Sequence, residues 1–320
     1  MSDPKPERDV ETPPRIRTIP VRYLAAAGLC LYLCVIWYLG WQRVRTALAE
    51  VAPVFLVFMM ALAFAGLWWR AVKWRYALGP GRQAVGLFFL SKAAGNFSPG
   101  RIGELSPLLL RRHRTAKVGA WVVFDRLIEA SVTIAFGVIG LAMLDIVHRG
   151  WLAALAVLVA LVLAAAFYFV TRRGFFLGLA EHSRAGSLSG RVAQFLAAMS
   201  EEMALLGKKT PLILVMTVLA KMVDLVAAIL LFMAFGYRID FALMAVAKCA
   251  HALISAIPFT PDVTGVPYAP EAALLIKLGA VPSEVVVVAI GVDVVALNIA
   301  FWTAFGLGMT TLKRRQIRFL

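Results

Sequence analysis

Six stretches of this chain, residues 21–41, 51–69, 118–144, 151–170, 211–236 and 284–310, stay apolar long enough to cross a bilayer. Nothing else in the sequence constrains the fold so tightly. About 20 apolar residues in a helix cover the roughly 30 Å of hydrocarbon. Lipid offers no hydrogen bonds, so each segment must satisfy its own backbone, and a helix does that. Charged residues make up 16% of the 320, where a soluble domain carries about 25%. The fold class is all-α: a polytopic integral membrane protein.

Two further apolar stretches, 84–98 and 241–258, are shorter and end at proline breaks, Ser98-Pro99-Gly100 and Ile257-Pro258-Phe259-Thr260-Pro261. Treating both as re-entrant segments that leave on the side they entered puts 24 of the 33 Lys and Arg on one side and 5 on the other. The remaining 4, Lys92, Arg126, Lys221 and Lys248, fall at membrane depth. The positive-inside rule makes the basic side cytoplasmic, with six spans and both termini inside. The expected setting is a bacterial inner membrane.

Residues 1–20, Pro-rich and charged without an apolar core, read as a disordered cytoplasmic tail and not a signal peptide. Residues 21–312 form one transmembrane domain, and 313–320 a basic cytoplasmic tail. Each short stretch carries a lysine, Lys92 or Lys248, follows a long span and precedes another that bears an acid near its start, Asp125 or Asp293. Residues 51–144 and 211–310 therefore read as two repeats of opposite topology, an arrangement that places half-helices at the midplane.

Several function classes drop out. The net charge of +15 is explained by cytoplasmic loops, and without a soluble domain there is no basic face for nucleic acid. Three cysteines make no disulfide framework; Cys30, Cys34 and Cys249 read as small packing residues. The four histidines, His113, His148, His182 and His251, form no metal-binding pair, and no nucleophile elbow or phosphate-binding loop occurs. No catalytic residue, metal or cofactor is expected, and no enzyme. His251 reads as a packed residue.

What remains is charge inside apolar segments. Each ionisable group at the bilayer centre costs roughly 2.5–3.5 kcal/mol on insertion scales, so Lys92, Asp125, Arg126, Glu129, Lys221, Asp224, Lys248 and Asp293 must face one another or a hydrated cavity. They line a pathway or lock helices together; spacing alone leaves both uses open. At the first break, free amides after Pro99 and the positive helix end attract an anion, and Arg101 adds a fork suited to phosphate. Glu104 then either holds Arg101 or meets a cationic headgroup. The bland alternative is a loop with a solvated Arg101–Glu104 pair. In "WWRAVKWRYAL", Arg70, Lys73, Trp74 and Arg75 read as interfacial anchors after the second span, with lipid-phosphate contact as the lesser use.

At these residues the sequence resembles a family. Asn96, Pro99, Arg101, Gly103 and Glu104, followed by Asp125-Arg126-Leu127, are similar to the N-x-x-P-x-R-x-G-E … (E/D)-R-L pattern of the lysylphosphatidylglycerol-synthase transmembrane family, the flippase-like domain of multiple-peptide-resistance proteins. The resemblance covers roughly 21–312, and "RAVKWRYAL" is similar to the family's Arg-x-x-x-Trp element. In the second half the family's P-G-G-x-G is matched by Pro261-Asp262-Val263-Thr264-Gly265, with Glu271 displaced by about three residues and Asp293 where an Arg often stands.

The resemblance implies movement of a membrane lipid, phospholipid or polyprenyl-phosphate-linked, through a wet, cationic chamber between the repeats. Arg101 and the terminus after Pro99 would hold phosphate, with Lys92, Arg126 and Lys248 along the path. Asn96 and Glu104 would shape the break, and Asp125 or Glu129 would orient Arg126. Asp224, Asp293 and Glu271 would support the site or carry protons. No transferase domain follows Leu320, so aminoacyl transfer is not implied. Two rivals stand beside this reading: a membrane enzyme acting on a lipid phosphate with Glu104 or Asp125 as base, and a non-catalytic partner of an enzyme in a lipid or envelope pathway.

Overall fold

The computed structural model describes residues 40–79, 82–109, 115–145, 188–257 and 266–311, with isolated positions between 33 and 37 and between 150 and 168. These residues form helices and no strand. In chain order they are α1 (Trp41–Ala49), α2 (Pro53–Leu78), α3 (Arg82–Phe97), a 3-10 arm (Pro99–Leu109), α4 (Ala116–Leu144), α5 (Leu188–Gly207), α6 (Thr210–Ala234) and α7 (Phe241–Ser255). A 3-10 turn (Val266–Tyr268) then leads into α8 (Ala269–Lys277) and α9 (Ser283–Thr311). Helices α2, α4, α6 and the Ser283–Ala300 part of α9 are long and apolar enough to cross a membrane. The expected spans 21–41 and 151–170 lie almost wholly outside the described residues. Both tails and the second break, Pro258 to Gly265, lie outside them too.

The second span is longer than its hydropathy suggests. Helix α2 runs on to Leu78, through the Trp-Trp-Arg sequence that resembles an interfacial end. It continues because Arg70 and Lys73 meet acids on α4 and α6 instead of water. At its C-terminus the Lys209 ammonium donates to the Tyr76 and Ala77 carbonyls at 3.3 and 3.4 Å, covering acceptors that a helix end leaves open. At the other end, the Ala52 amide donates to the Ala234 carbonyl at 2.7 Å. The start of each helix thus meets the end of the other, and α2 and α6 run antiparallel.

The first short stretch folds back on itself. Helix α3 has 16 residues, about 24 Å at 1.5 Å per residue, and does not reach across the hydrocarbon. After Phe97 the chain reverses, and the 3-10 arm returns along α3. The Ser91 hydroxyl donates to the Glu104 carbonyl at 2.7 Å, and the Ser106 hydroxyl to the Leu90 carbonyl at 3.4 Å. Two glycines allow the approach. A Cβ on Gly103 would overlap the Ala94 carbonyl, and one on Gly95 would overlap the Glu104 side chain.

The remaining contacts exchange elements between the two parts of the chain. Helix α3 packs on α9, α4 on α7, and α2 on α6. The α4–α7 seam is close because Gly137 faces Cys249 and Gly140 faces the Ala242 carbonyl, the small-residue packing that holds helices together in lipid. Two buried apolar clusters flank the centre. One gathers Phe232, Met244, Leu275 and Val286. The other is built on Trp74, Phe88, Trp121 and Phe124, with Trp74 edge-on to Phe88 at 5.7 Å and to Trp121 at 6.2 Å.

Candidate functional site

Between these clusters lies a cavity of about 230 Å3, lined from both parts of the chain. Its basic side chains are Arg70, Lys92, Lys221 and Lys248; its acidic ones are Glu104, Glu129, Asp224 and Asp293. Asn96, Thr133, Cys249, His251 and Tyr268 also face it, with apolar residues filling the wall. Counting Lys73, Arg126, Asp125 and Glu271 just behind the lining, bases and acids are equal in number among the described residues. Among the described residues the chamber, expected to be cationic, is charge-balanced. Burial explains this: charges held away from water must be compensated locally.

Helix α4 carries the hub. Asp125, Glu129 and Thr133 follow at four-residue steps, so all three face one side of the helix. Glu129 meets four bases: Arg126 Nη1 at 3.1 Å, Lys92 Nζ at 3.3 Å, Lys73 Nζ at 3.5 Å and Arg70 Nε at 3.6 Å. Its own chain is only 7% exposed. Asp125 turns to Lys73 at 2.5 Å and accepts the Trp74 indole N–H at 2.9 Å. Lys73, wholly buried, also donates to Thr217 on α6 at 3.2 Å. So Asp125 serves Lys73 and Trp74, while Glu129 is the acid that orients Arg126.

Glu104 reaches in from the 3-10 arm to pair with Arg126 and, at 3.8 Å, with Lys92. These contacts are available because the arm folds its Glu104 face onto α3 and α4. Whether Glu104 also clamps Arg101 lies outside the described residues. Arg101 and Pro99 belong to the arm's backbone, but their side chains lie outside the described residues. The amides at the start of the arm are not all open to a ligand. Gly103 donates its N–H to the Ser98 hydroxyl at 2.6 Å.

The second part of the chain is sparser. Lys248 on α7 meets Glu271 on α8 at 2.8 Å and Asp293 on α9 at 3.5 Å. His251, one turn on, lies 3.5 Å from Glu271 and edge-on to Tyr268 at 4.2 Å, a packed position as expected. Lys248 also sits over the Tyr268 ring at 5.6 Å. Asp224 crosses between the parts to pair with Arg70. Among the described residues, no group of three or more His, Cys, Asp or Glu side chains could hold a metal ion.

Arg70, Lys73 and Trp74, expected as interfacial anchors with lipid-phosphate contact as the lesser use, belong to the charge network itself. They are buried or half-buried at the centre of the network instead. The signal was present. Gly66, Arg70, Lys73 and Ala77 recur at three- and four-residue steps, one face of a helix that has not yet ended.

A family model described as the lysylphosphatidylglycerol synthase TM region matches residues 25–306. The chain belongs to that family. No curated protein and no solved structure matches the chain. The family membership and the long apolar helices together make this a multi-pass membrane protein with a lipid-related role.

Proposed function

We propose that this member of the lysylphosphatidylglycerol synthase transmembrane family moves a lipid with a phosphate-bearing headgroup across the membrane, without being an enzyme. The headgroup would pass through the cavity while its apolar chains stay in the bilayer. One observation carries the reading: a single cavity, deep among membrane-crossing helices, is lined by paired charges drawn from both parts of the chain. Charges used only as helix locks need no open space beside them. Here Arg70, Lys92, Glu129, Asp224, Lys248 and Asp293 all face one.

The antiparallel α2 and α6, and the exchange of α3 onto α9 and α7 onto α4, support two repeats of opposite topology that rock about the cavity. Arg126 and Lys92 beside Glu104, and Lys248 beside Asp293, are the stations for a phosphate along the path, with Asn96 between the wall and the arm. With no nucleotide-binding motif in the sequence, transport is downhill or ion-coupled, and Asp293 is the proton carrier. The protein sits in a bacterial inner membrane with both termini cytoplasmic, and Arg101 stays a phosphate contact at the mouth of the arm.

The test is a leaflet-exchange assay in reconstituted vesicles. A fluorescent phosphatidylglycerol should become bleachable by an external reductant beyond the outer-leaflet share, and fluorescent diacylglycerol should show no protein-dependent gain. Equal rates with and without folded protein would refute transport. Chemical conversion of the headgroup by the purified protein would favour an enzyme.

A further inference from the structure

Among the described residues, the two parts of the chain do not balance their central charges separately. Residues 51–144 contribute Arg70, Lys73, Lys92 and Arg126 against Glu104, Asp125 and Glu129, one base in excess. Residues 211–310 contribute Lys221 and Lys248 against Asp224, Glu271 and Asp293, one acid in excess. The Arg70–Asp224 pair joins the surplus base to the surplus acid, and it does so across the antiparallel α2–α6 seam.

The two partners are unequally held. Asp224 has a side chain 37% exposed, against 7% for Glu104 and Glu129, so it is the carboxylate that can leave for water at least cost. Arg70 is 12% exposed and keeps Glu129 at its Nε, 3.6 Å away, which fixes the guanidinium when its outer nitrogens are vacated. Gly66, one turn before Arg70, leaves the pair uncovered. A Cβ there would lie in van der Waals contact with the pair, 3.6 Å from Asp224 and 3.8 Å from Arg70. A planar guanidinium with one edge anchored and the other on the cavity is a bidentate receptor for phosphate oxygens.

We infer that Arg70 is the phosphate-receiving group of the cavity, with Asp224 as a resident counter-ion that an arriving phosphodiester headgroup displaces. This rests on the lipid reading above and names the subsite within it. The exchange keeps the charge on Arg70 unchanged while breaking the ion pair that joins α2 to α6. The headgroup thereby releases one of the contacts that join the two parts, which couples binding to their movement.

The test is a double-mutant cycle on the full chain in detergent, measuring equilibrium binding of short-chain fluorescent phosphatidylglycerol. Asp224→Asn removes the competitor and should tighten binding several-fold; Arg70→Gln should weaken it about tenfold or more. The double variant should match Arg70→Gln, because there is no longer a site for Asp224 to contest. Tightening by Asp224→Asn that persists without Arg70, or no tightening at all, overturns the inference. Inorganic phosphate is titrated in parallel. If it binds through Arg70 and the lipid does not, the subsite serves a soluble anion and the headgroup assignment falls. Wild-type leaflet exchange of the same probe reports separately on the transport reading, which survives if exchange is intact and only the cycle fails.

Discussion

The two parts of the chain hold unlike charge clusters. In the first, Glu129 and Asp125 on one face of α4 gather Arg70, Lys73, Lys92 and Arg126, with Glu104 closing the group from the folded-back arm. In the second, Lys248 and His251 on α7 share Glu271, and Asp293 completes the set. The first cluster ties three helices and the arm through contacts that are buried except at Arg126, which is 29% exposed. The second leaves Lys248 and Asp293 partly open to the cavity, 23% and 17% exposed. Burial turns the same kind of ion pair from an adaptable contact into a structural requirement. An exposed pair contributes roughly 0–1 kcal/mol, whereas removing one partner of a buried pair costs about 3–5 kcal/mol.

The contrast is broken most directly at its two lysines. Lys73→Met strands Asp125 beside Trp74 and should lower stability by about 3–5 kcal/mol, read as a large drop in the midpoint of thermal unfolding in detergent. Lys248→Met should cost less, because His251 stays 3.5 Å from the buried Glu271 and Asp293 is 17% exposed. Equal losses would mean that the two clusters do the same work.

Trp74→Phe keeps the aromatic packing against Phe88 and Trp121 but removes the hydrogen bond to a buried carboxylate. About 1.5–3 kcal/mol should go with it. Wild-type stability in this variant would show that Lys73 alone satisfies Asp125. Gly137→Ala drives a methyl group into Cys249 across the α4–α7 seam and should cost about 1–3 kcal/mol through overpacking. Pairing it with Cys249→Ala should recover part of the loss, and no recovery would place the strain elsewhere. The smallest effect is expected at Asp293→Asn, since Lys248 keeps Glu271 at 2.8 Å. Stability should change by less than about 1 kcal/mol, while any dependence of lipid exchange on a pH gradient disappears. A gradient response that survives removes Asp293 as the proton carrier.

Much of this was legible in the sequence. Apolar length gave α2, α4, α6 and α9, and the Ser98-Pro99-Gly100 break gave the reversal after α3. The acids at 104, 125 and 129 and the bases at 92, 126 and 248 declared themselves by standing in apolar segments. Partner choice did not. Lys92, Lys248 and Asp293 lack neighbours of opposite charge at helical spacing, and their partners come from 12 to 45 residues away on other helices. Lys73 and Arg70 were hidden for another reason. Tryptophan beside arginine marks a membrane interface in most helices, and only packing against Asp125 and Asp224 shows that this helix continues. Among the described residues the chamber is balanced and not cationic, because acids on α6, α8 and α9 come from far in the sequence to the bases they neutralise.

Cys249 offers the most direct trial of the central claim, that a lipid headgroup travels through the cavity. Its thiol lines that space against Gly137. A bulky charged thiol reagent, added to vesicles containing the wild-type chain, should stop exchange of fluorescent phosphatidylglycerol once mass spectrometry shows Cys249 modified, and Cys249→Ala should be indifferent to the reagent. Full modification of Cys249 with exchange running at its original rate would mean that the lipid takes another route.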